Sequence, residues 1–263
     1  MNKCYICPHF CEITVGKHGK CGMRTWGKTS AVVLDPIEKK PLRMFYPGAM
    51  ILSVGGYGCN LNCPFCQNHE IAMPQGGCSA SSQIIQPSEL VSLAQQRVAH
   101  GNIGVAYTYN EPLINFEYVL DCARKIRSAG LKNVLVTNGF INPMPLEKLL
   151  PYIDAMNIDL KAFSQRFYRK IGGDIEVVKN TIVSAQKVCH IEVTTLVIPD
   201  ENEHDIEPIA KWLASLHPQI PLHISRFFPK RGYADRKPTP RETIFALASI
   251  AHKYLENVYE GNV

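Results

Sequence analysis

Six short segments rich in β-branched and aliphatic residues alternate with six amphipathic segments from residue 50 onward. The predicted strands lie at 50–54, 103–108, 133–137, 155–160, 190–198 and 222–226. The predicted helices lie at 88–100, 114–129, 145–150, 176–188, 204–216 and 240–255. Strands that are joined through a helix run parallel, and their crossovers are right-handed. The alternation therefore predicts an α/β fold with a parallel sheet, either open or curved into a partial barrel.

Functional chemistry is expected at one edge of this sheet. In parallel α/β folds the functional residues lie at the carboxyl ends of the strands. Polar motifs follow several predicted strands, namely the segments 59–68, 108–112, 136–139, 159–161 and 223–226. The fold prediction therefore brings these motifs to the same edge.

Composition and charge exclude several classes of protein. The 263 residues are 46% hydrophobic and 19% charged, which supports a real core and excludes wholesale disorder. The net charge is only +5 and the basic residues are scattered, so they predict a solvated surface rather than a nucleic-acid site. No apolar segment reaches the ~18 residues of a membrane span, and the first residues lack a secretory signal. We predict a cytoplasmic protein without a membrane or nucleic-acid partner.

Ten cysteines are unusually many for such a chain, and a reducing compartment favours metal or redox chemistry over disulfides. Four of them lie near the amino terminus: Cys4, Cys7, Cys11 and Cys21. A zinc ion and an auxiliary iron–sulfur cluster are the two alternatives for this group, because either could organise a segment with little hydrophobic periodicity. We therefore predict a cysteine-rich metal-binding appendage at 1–48 and a barrel at 49–263. Cys78, Cys122 and Cys189 are predicted to be ordinary core or surface residues.

Three further cysteines, Cys59, Cys63 and Cys66, form a C-x3-C-x2-C loop directly after the first predicted strand. Neighbouring glycines and asparagines permit the tight turns that wrap a metal cluster. Three thiolates on a 4Fe–4S cluster leave one iron without a protein ligand and open to another molecule. The alternative is a zinc site with a fourth ligand such as His69, although zinc usually takes paired C-x2-C sequences.

The order of these motifs resembles the radical S-adenosylmethionine (SAM) superfamily. Within it, the chain resembles the AmmeMemoRadiSam-system radical SAM proteins, which are relatives of the pyruvate formate-lyase activating enzymes. The resemblance rests on the cysteine loop with Phe65 before its last cysteine, and on the segments 35–42, 108–112, 136–139, 157–161 and 223–227. It implies a partial (β/α)6 barrel of the TIM type that carries the cysteine-rich appendage.

The resemblance implies an enzyme that uses a 4Fe–4S cluster to cleave SAM reductively. The resulting 5′-deoxyadenosyl radical would abstract hydrogen, as in glycyl-radical activation, from a glycine of a partner protein. A reductant such as flavodoxin or ferredoxin is implied as well. Modification of a small molecule or lipid precursor is the alternative within the enzyme class. A zinc-stabilised RNA-binding module is the alternative of another class, and it does not require the motifs to converge on one cavity.

The resemblance also assigns residues. It makes the cluster ligands Cys59, Cys63 and Cys66, and it places cofactor contacts at Phe65, Asn110, Glu111, Thr137, Asn138, Asp159 and Lys161. Glu111 is expected to accept hydrogen bonds from the SAM amino group, because charged donors bind carboxylates strongly. His223 and Arg226 are expected at the cofactor or at the rim, where the guanidinium could bind an anion. Val136 replaces an aspartate that helps the activating enzymes bind a monovalent cation, so the resemblance does not extend to that site.

Overall fold

The computed structural model describes residues 2–14, 18–22, 26–73 and 82–263. Its strands are β1 (Asn2–Lys3), β2 (Glu12–Ile13), β3 (Lys28–Thr29), β4 (Ala31–Pro36), β5 (Met50–Gly55), β6 (Gln83–Ile84), β7 (Asn102–Thr108), β8 (Lys132–Thr137), β9 (Ala155–Asp159), β10 (His190–Val197), β11 (Leu222–Arg226) and β12 (Val258–Gly261). Its α-helices are α1 (His69–Ala72), α2 (Pro87–Gln96), α3 (Phe116–Ser128), α4 (Pro143–Leu149), α5 (Gln165–Lys170), α6 (Ile175–Ala185), α7 (Ile206–Leu216) and α8 (Arg241–Ala251). Cys78 lies outside the described residues.

Eight strands form one sheet in the order β12-β11-β10-β9-β8-β7-β5-β4. Every neighbouring pair from β5 to β12 is parallel, whereas β4 runs antiparallel to β5. Among the described residues, the edge strands β4 and β12 do not pair with each other, so the sheet is an open, partial barrel. The predicted α/β fold with a parallel sheet is confirmed.

Alternation along the strands separates two apolar layers. Outward side chains such as Val105 and Leu135 belong to the main core, which includes the buried faces of the helices. Inward side chains form a second, small cluster that consists of Ile37, Leu42, Ile51, Ala106, Val134 and Ala155. This inner cluster uses the first and middle positions of its strands, which leaves the carboxyl ends for polar side chains.

The six predicted strands are present as β5, β7, β8, β9, β10 and β11. Two edge strands of the sheet, β4 and β12, had no counterpart in the predicted pattern, and neither had the short helices α1 and α5. Strand β4 lies inside the range 1–48 that was predicted as an appendage, and its neighbours Ile37 and Leu42 are fully buried in the inner cluster. The division of the chain into two domains stays a prediction. Among the described helices, none is long and apolar enough to cross a membrane.

Candidate active site

A cavity of about 360 Å³ opens where the parallel strands end. Its lining includes Cys59, Cys63, Phe65, Cys66, Asn110, Glu111, Thr137, Asn138, Asp159 and Lys161. These residues follow or end four different strands, β5, β7, β8 and β9. The structure therefore brings the three-cysteine loop and the predicted cofactor contacts to one cavity. The enzyme hypothesis requires this convergence, and the RNA-binding alternative does not.

The three thiols of the cavity are suited to a metal cluster. Burial raises the pKa of Cys59 and Cys66, and it raises the pKa of Cys63 to about 11. Neutral thiols are poor ligands, and a bound metal supplies the positive charge that deprotonates them. Among the described residues, no three His, Cys, Asp or Glu side chains converge closely enough to bind a single metal ion. The three cysteines nevertheless line one cavity, and three thiols there fit a cubic cluster, which takes its thiolates at separate irons.

The cysteine loop is held in place by the loop that follows β7. The Gly58 carbonyl accepts hydrogen bonds from the Glu111 backbone N–H at 3.3 Å and from Asn110 Nδ2 at 3.1 Å. The Gly56 N–H donates to Asn110 Oδ1 at 2.9 Å. Both ends of the Asn110 amide are therefore bonded to the cysteine loop. This geometry makes Asn110 a positioning residue at the cavity wall.

Arg231, which follows β11, is a second tether of the cysteine loop. Its guanidinium donates to the Cys63 carbonyl at 2.7 Å and to Asn62 Oδ1 at 2.7 Å. Its backbone lies in the left-handed region, with φ of 50°. Nothing in the sequence predicted that this arginine contacts the cysteine loop. No local pattern could have revealed it, because its partners lie 168 and 169 positions away.

Glu111 is a buried carboxylate that joins the ends of β7 and β8. Its Oε1 accepts from the Leu113 N–H at 3.0 Å and from the Thr137 hydroxyl at 2.8 Å. Its Oε2 accepts from the Asn138 N–H at 2.8 Å. Burial raises the pKa of Glu111 to about 7, although these three donors lower it. A carboxylate has about four acceptor positions, so one position on Oε2 remains for a further donor.

Asp159 and Lys161 form an ion pair at the end of β9. Lys161 Nζ lies 2.8 Å from Asp159 Oδ2, and the side chains are 16% and 37% exposed for the lysine and the aspartate. Burial acts to lower the pKa of Lys161, but the charges of Asp159 and Cys63 outweigh it and raise that pKa. Lys161 is therefore a fixed cation at the cavity.

Asn138 contacts the Cys59 sulfur, and Phe65 packs against other aromatic residues. Asn138 Nδ2 donates to Asn60 Oδ1 at 2.9 Å and lies 3.6 Å from the Cys59 sulfur. Phe65 is buried, and its ring centroid lies 5.9 Å from that of Phe167 and 6.0 Å from that of Tyr233. The ring environment of Phe65 is thus preformed by other aromatic residues.

The structure places His223 and Arg226 away from the cavity. His223 Nε2 lies 2.6 Å from Glu192 Oε2, in a buried pair inside the barrel. Arg226 Nε donates to the Thr239 carbonyl at 2.6 Å. Alternation explains the difference, because His223 lies one step deeper than the rim and Arg226 points to the opposite face. From this strand it is Ser225 that lines the cavity.

The amino-terminal cysteines lie against the cysteine loop. The Cys4 N–H donates to the Cys11 carbonyl at 2.8 Å, and burial raises the pKa of Cys7. His9 Nε2 lies 2.8 Å from the carbonyl oxygen of Asn60, which joins this segment to the loop of the candidate site. Cys4 and Cys11 lie close enough to Cys7 to contribute to the rise in its pKa. A metal on Cys4, Cys7, Cys11 and Cys21 stays a prediction.

The model of the Radical SAM superfamily matches residues 53–213. An uncharacterized protein of Methanocaldococcus jannaschii is 36% identical, over 99% of this chain and 81% of that protein. A protein of the same organism, named as a glycyl-radical enzyme activating enzyme, is 28% identical over 81% of this chain and 89% of that protein. The crystal structure of Streptococcus suis SuiB bound to S-adenosylmethionine has a TM-score of 0.60 at 14% identity, over 80% of this chain and 51% of that chain. The resemblance to the radical SAM superfamily and to glycyl-radical activating enzymes is confirmed.

Proposed function

The chain belongs to the radical SAM superfamily, and from this premise we propose that it cleaves SAM reductively and abstracts hydrogen from a substrate. Cys59, Cys63 and Cys66 would hold a 4Fe–4S cluster, which in its reduced form would supply the one electron that cleaves SAM to methionine and a 5′-deoxyadenosyl radical. The observation that carries the proposal is the convergence of three thiols, one buried carboxylate and one lysine–aspartate pair on a single cavity.

The cavity residues divide the work of binding SAM. Lys161 remains protonated and pairs with the SAM carboxylate, and Asp159 accepts from ribose hydroxyls. Glu111 uses its remaining acceptor position on Oε2 for the SAM amino group. Phe65 packs beside the adenine, and Thr137 and Asn138 keep Glu111 in place.

The target that the relatives favour is a glycine of a partner protein. The support is the 28% identity to a protein named as a glycyl-radical enzyme activating enzyme. The open side of a partial barrel would admit a protein loop. A reductant such as flavodoxin or ferredoxin supplies the electron. A small molecule is the second candidate target, and a buried lysine in the same cavity favours it.

The first experiment measures metal and cleavage together. The protein is reconstituted anaerobically as wild type, Cys63→Ala and Cys189→Ala, the last a matched control outside the cavity. About 4 irons per chain in wild type and in Cys189→Ala, lost in Cys63→Ala, would support one cluster. About 8 irons that fall to about 4 would place a second cluster at the amino-terminal cysteines, and about 1 retained zinc would indicate a zinc site there.

Cleavage is then followed as 5′-deoxyadenosine formed from SAM and a chemical reductant. Wild type and Cys189→Ala should form it, and Cys63→Ala should not. Zinc without iron in all three proteins, or iron-loaded wild type that forms no 5′-deoxyadenosine, would refute the proposal.

A further inference from the structure

Lys40 is a buried cation on the wall of the same cavity, and binding of SAM as proposed above does not use it. Its side chain is 2% exposed, yet it lines the cavity together with Tyr109. Its Nζ donates to Asp35 Oδ2 at 2.9 Å and lies 4.5 Å from the centroid of the Tyr109 ring. A buried ammonium is costly unless its donors are satisfied, so its partners need to be counted.

The protein satisfies only some of the hydrogen-bond donors of Lys40. The ammonium group has three N–H donors, and Asp35 accepts one of them. The Tyr109 hydroxyl donates its hydrogen to Asp35 Oδ2 at 2.5 Å. The oxygen of this hydroxyl lies 3.5 Å from Lys40 Nζ, which is long for a hydrogen bond. The described residues therefore leave at least one N–H of Lys40 without a protein acceptor. Burial lowers the pKa of Lys40 despite Asp35, as expected for a cation that is short of negative partners.

The charges at this wall leave an excess of positive charge. Asp35 is shared between two lysines, because its Oδ1 also lies 3.1 Å from Lys39 Nζ. Lys39 is 66% exposed, so water screens its charge, whereas Lys40 is buried. The other lysine of the cavity, Lys161, already has Asp159 to itself. An anionic group placed beside Lys40 would complete this half of the site.

The surrounding backbone holds this arrangement rigidly. Tyr109 has φ of 72°, in the left-handed region that side chains rarely adopt. Its ring fits because residue 55 is glycine, where a Cβ would lie 2.8 Å from Tyr109 Cδ2. Next to Lys40, the Pro41 carbonyl accepts from Asn157 Nδ2 at 2.8 Å. Lys40 is thus fixed in place, unlike a lysine on the surface.

We propose that Lys40 binds an anionic oxygen group, a carboxylate or a phosphate, of the molecule from which hydrogen is abstracted. This rests on the proposed function and selects its second candidate target, a small molecule, here one that carries an acidic group. Ser225 lines the same cavity and offers a hydroxyl group for a neutral part of the same molecule. The segment 35–42 contributed to the family resemblance, but no role was assigned to it there. The proposal gives this segment a role in binding the substrate.

The test measures anion binding to the reconstituted, SAM-loaded protein. Equilibrium dialysis with labelled inorganic phosphate, and separately with labelled acetate, is run on wild type, Lys40→Met and Lys39→Met. Lys40→Met is expected to weaken binding of the preferred anion at least tenfold. Lys39 also lines the cavity, but its charge is exposed and screened by water, so Lys39→Met, which removes the same charge one residue away, should change binding less than twofold. The anion that binds more tightly identifies the group as phosphate or carboxylate.

A second variant acts in the opposite direction and does not depend on the folding of Lys40→Met. Asp35→Asn removes the competing carboxylate but also a group that raises the pKa of Lys40, so binding is compared at pH 6, which favours the protonated lysine. There Asp35→Asn should tighten anion binding several-fold, whereas mere damage would weaken it. Equal losses in both lysine variants, or weaker binding in Asp35→Asn, would overturn the proposal. So would a matching loss of labelled SAM from Lys40→Met, because Lys40 would then belong to the SAM site. Anion binding without formation of 5′-deoxyadenosine would refute the proposed function alone.

Discussion

Replacing Glu192 by glutamine is expected to destabilise the protein by about 3 kcal/mol, because four groups converge on this buried carboxylate. The backbone N–H groups of Arg43 and Met44 donate to it at 2.9 and 2.8 Å. The Nε2 atoms of His190 and His223 lie 2.9 and 2.6 Å from its oxygens. Glu192 therefore joins β10 and β11 to the segment that precedes β5.

The magnitude follows from the pKa of Glu192. Burial alone would raise it, but the two histidines and the two backbone donors lower it from 4.5 to about 2. This difference corresponds to about 3.4 kcal/mol in favour of the ionised form in the folded protein. A carboxylate with a lowered pKa contributes stability above its unfolded pKa and loses it as the pH falls toward the folded value. Glutamine imitates the neutral form of Glu192. We therefore expect Glu192→Gln to lower the free energy of unfolding by about 3.4 kcal/mol at pH 7 and by about 2.6 kcal/mol at pH 4.

The assay is urea unfolding of the metal-free, reduced protein, followed by circular dichroism at both pH values. Glu176→Gln is the control, because Glu176 is an exposed carboxylate that lies 3.0 Å from Lys179. Such surface pairs contribute about 0–1 kcal/mol. A loss below about 1 kcal/mol in Glu192→Gln at pH 7, or a loss that grows toward pH 4, would refute the reasoning.

Three further substitutions test the tethers of the site. Arg231→Gln removes two charged hydrogen bonds from the cysteine loop, each worth about 1.5–3 kcal/mol. The variant should therefore lose iron to a chelator faster than wild type does, and an unchanged rate would contradict this role. Gly55→Ala places a Cβ 2.8 Å from Tyr109 Cδ2 and should lower the free energy of unfolding in urea by about 1–3 kcal/mol. An unaltered unfolding midpoint would show that the Tyr109 ring can move. Thr137→Val removes a hydrogen-bond donor to Glu111 and so raises the pKa of Glu111 further. The affinity for SAM, measured by dialysis, should therefore fall at pH 7 and recover at higher pH. A loss of affinity without recovery would point to another cause.

The sequence sufficed for the parallel strands and for the convergence of Cys59, Glu111 and Asp159. Hydrophobic alternation locates strands, and the carboxyl ends of parallel strands must meet at one edge. The position of each motif along the chain therefore determined its position in space. Residue roles that depend on alternation at a strand end were less secure, as Arg226 shows, because a single step along a strand reverses the face.

The sequence could not reveal contacts that depend on distant parts of the chain. Strand β4 is antiparallel and lies at an edge, so it breaks the β/α alternation from which the other strands were predicted. Nothing local to Lys40 in the sequence showed that Asp35 and Tyr109 would enclose that lysine. Tyr109 itself lies 74 positions from Asp35. Such pairs form only when the sheet has brought its ends together.

The charged groups inside the barrel are better explained by binding than by stability. A buried ion pair can often be replaced by apolar residues without loss of stability, because desolvation cancels most of its attraction. Lys40 and Glu192 nevertheless lie in the barrel, where Ile51 and Ala106 show that apolar packing is available. Glu192 binds the backbone just beyond the segment 35–42, and Lys40 within that segment lines the cavity with an unused donor. Glu192, which lies deeper in the barrel, thus helps to fix the position of Lys40, as expected if Lys40 binds a ligand.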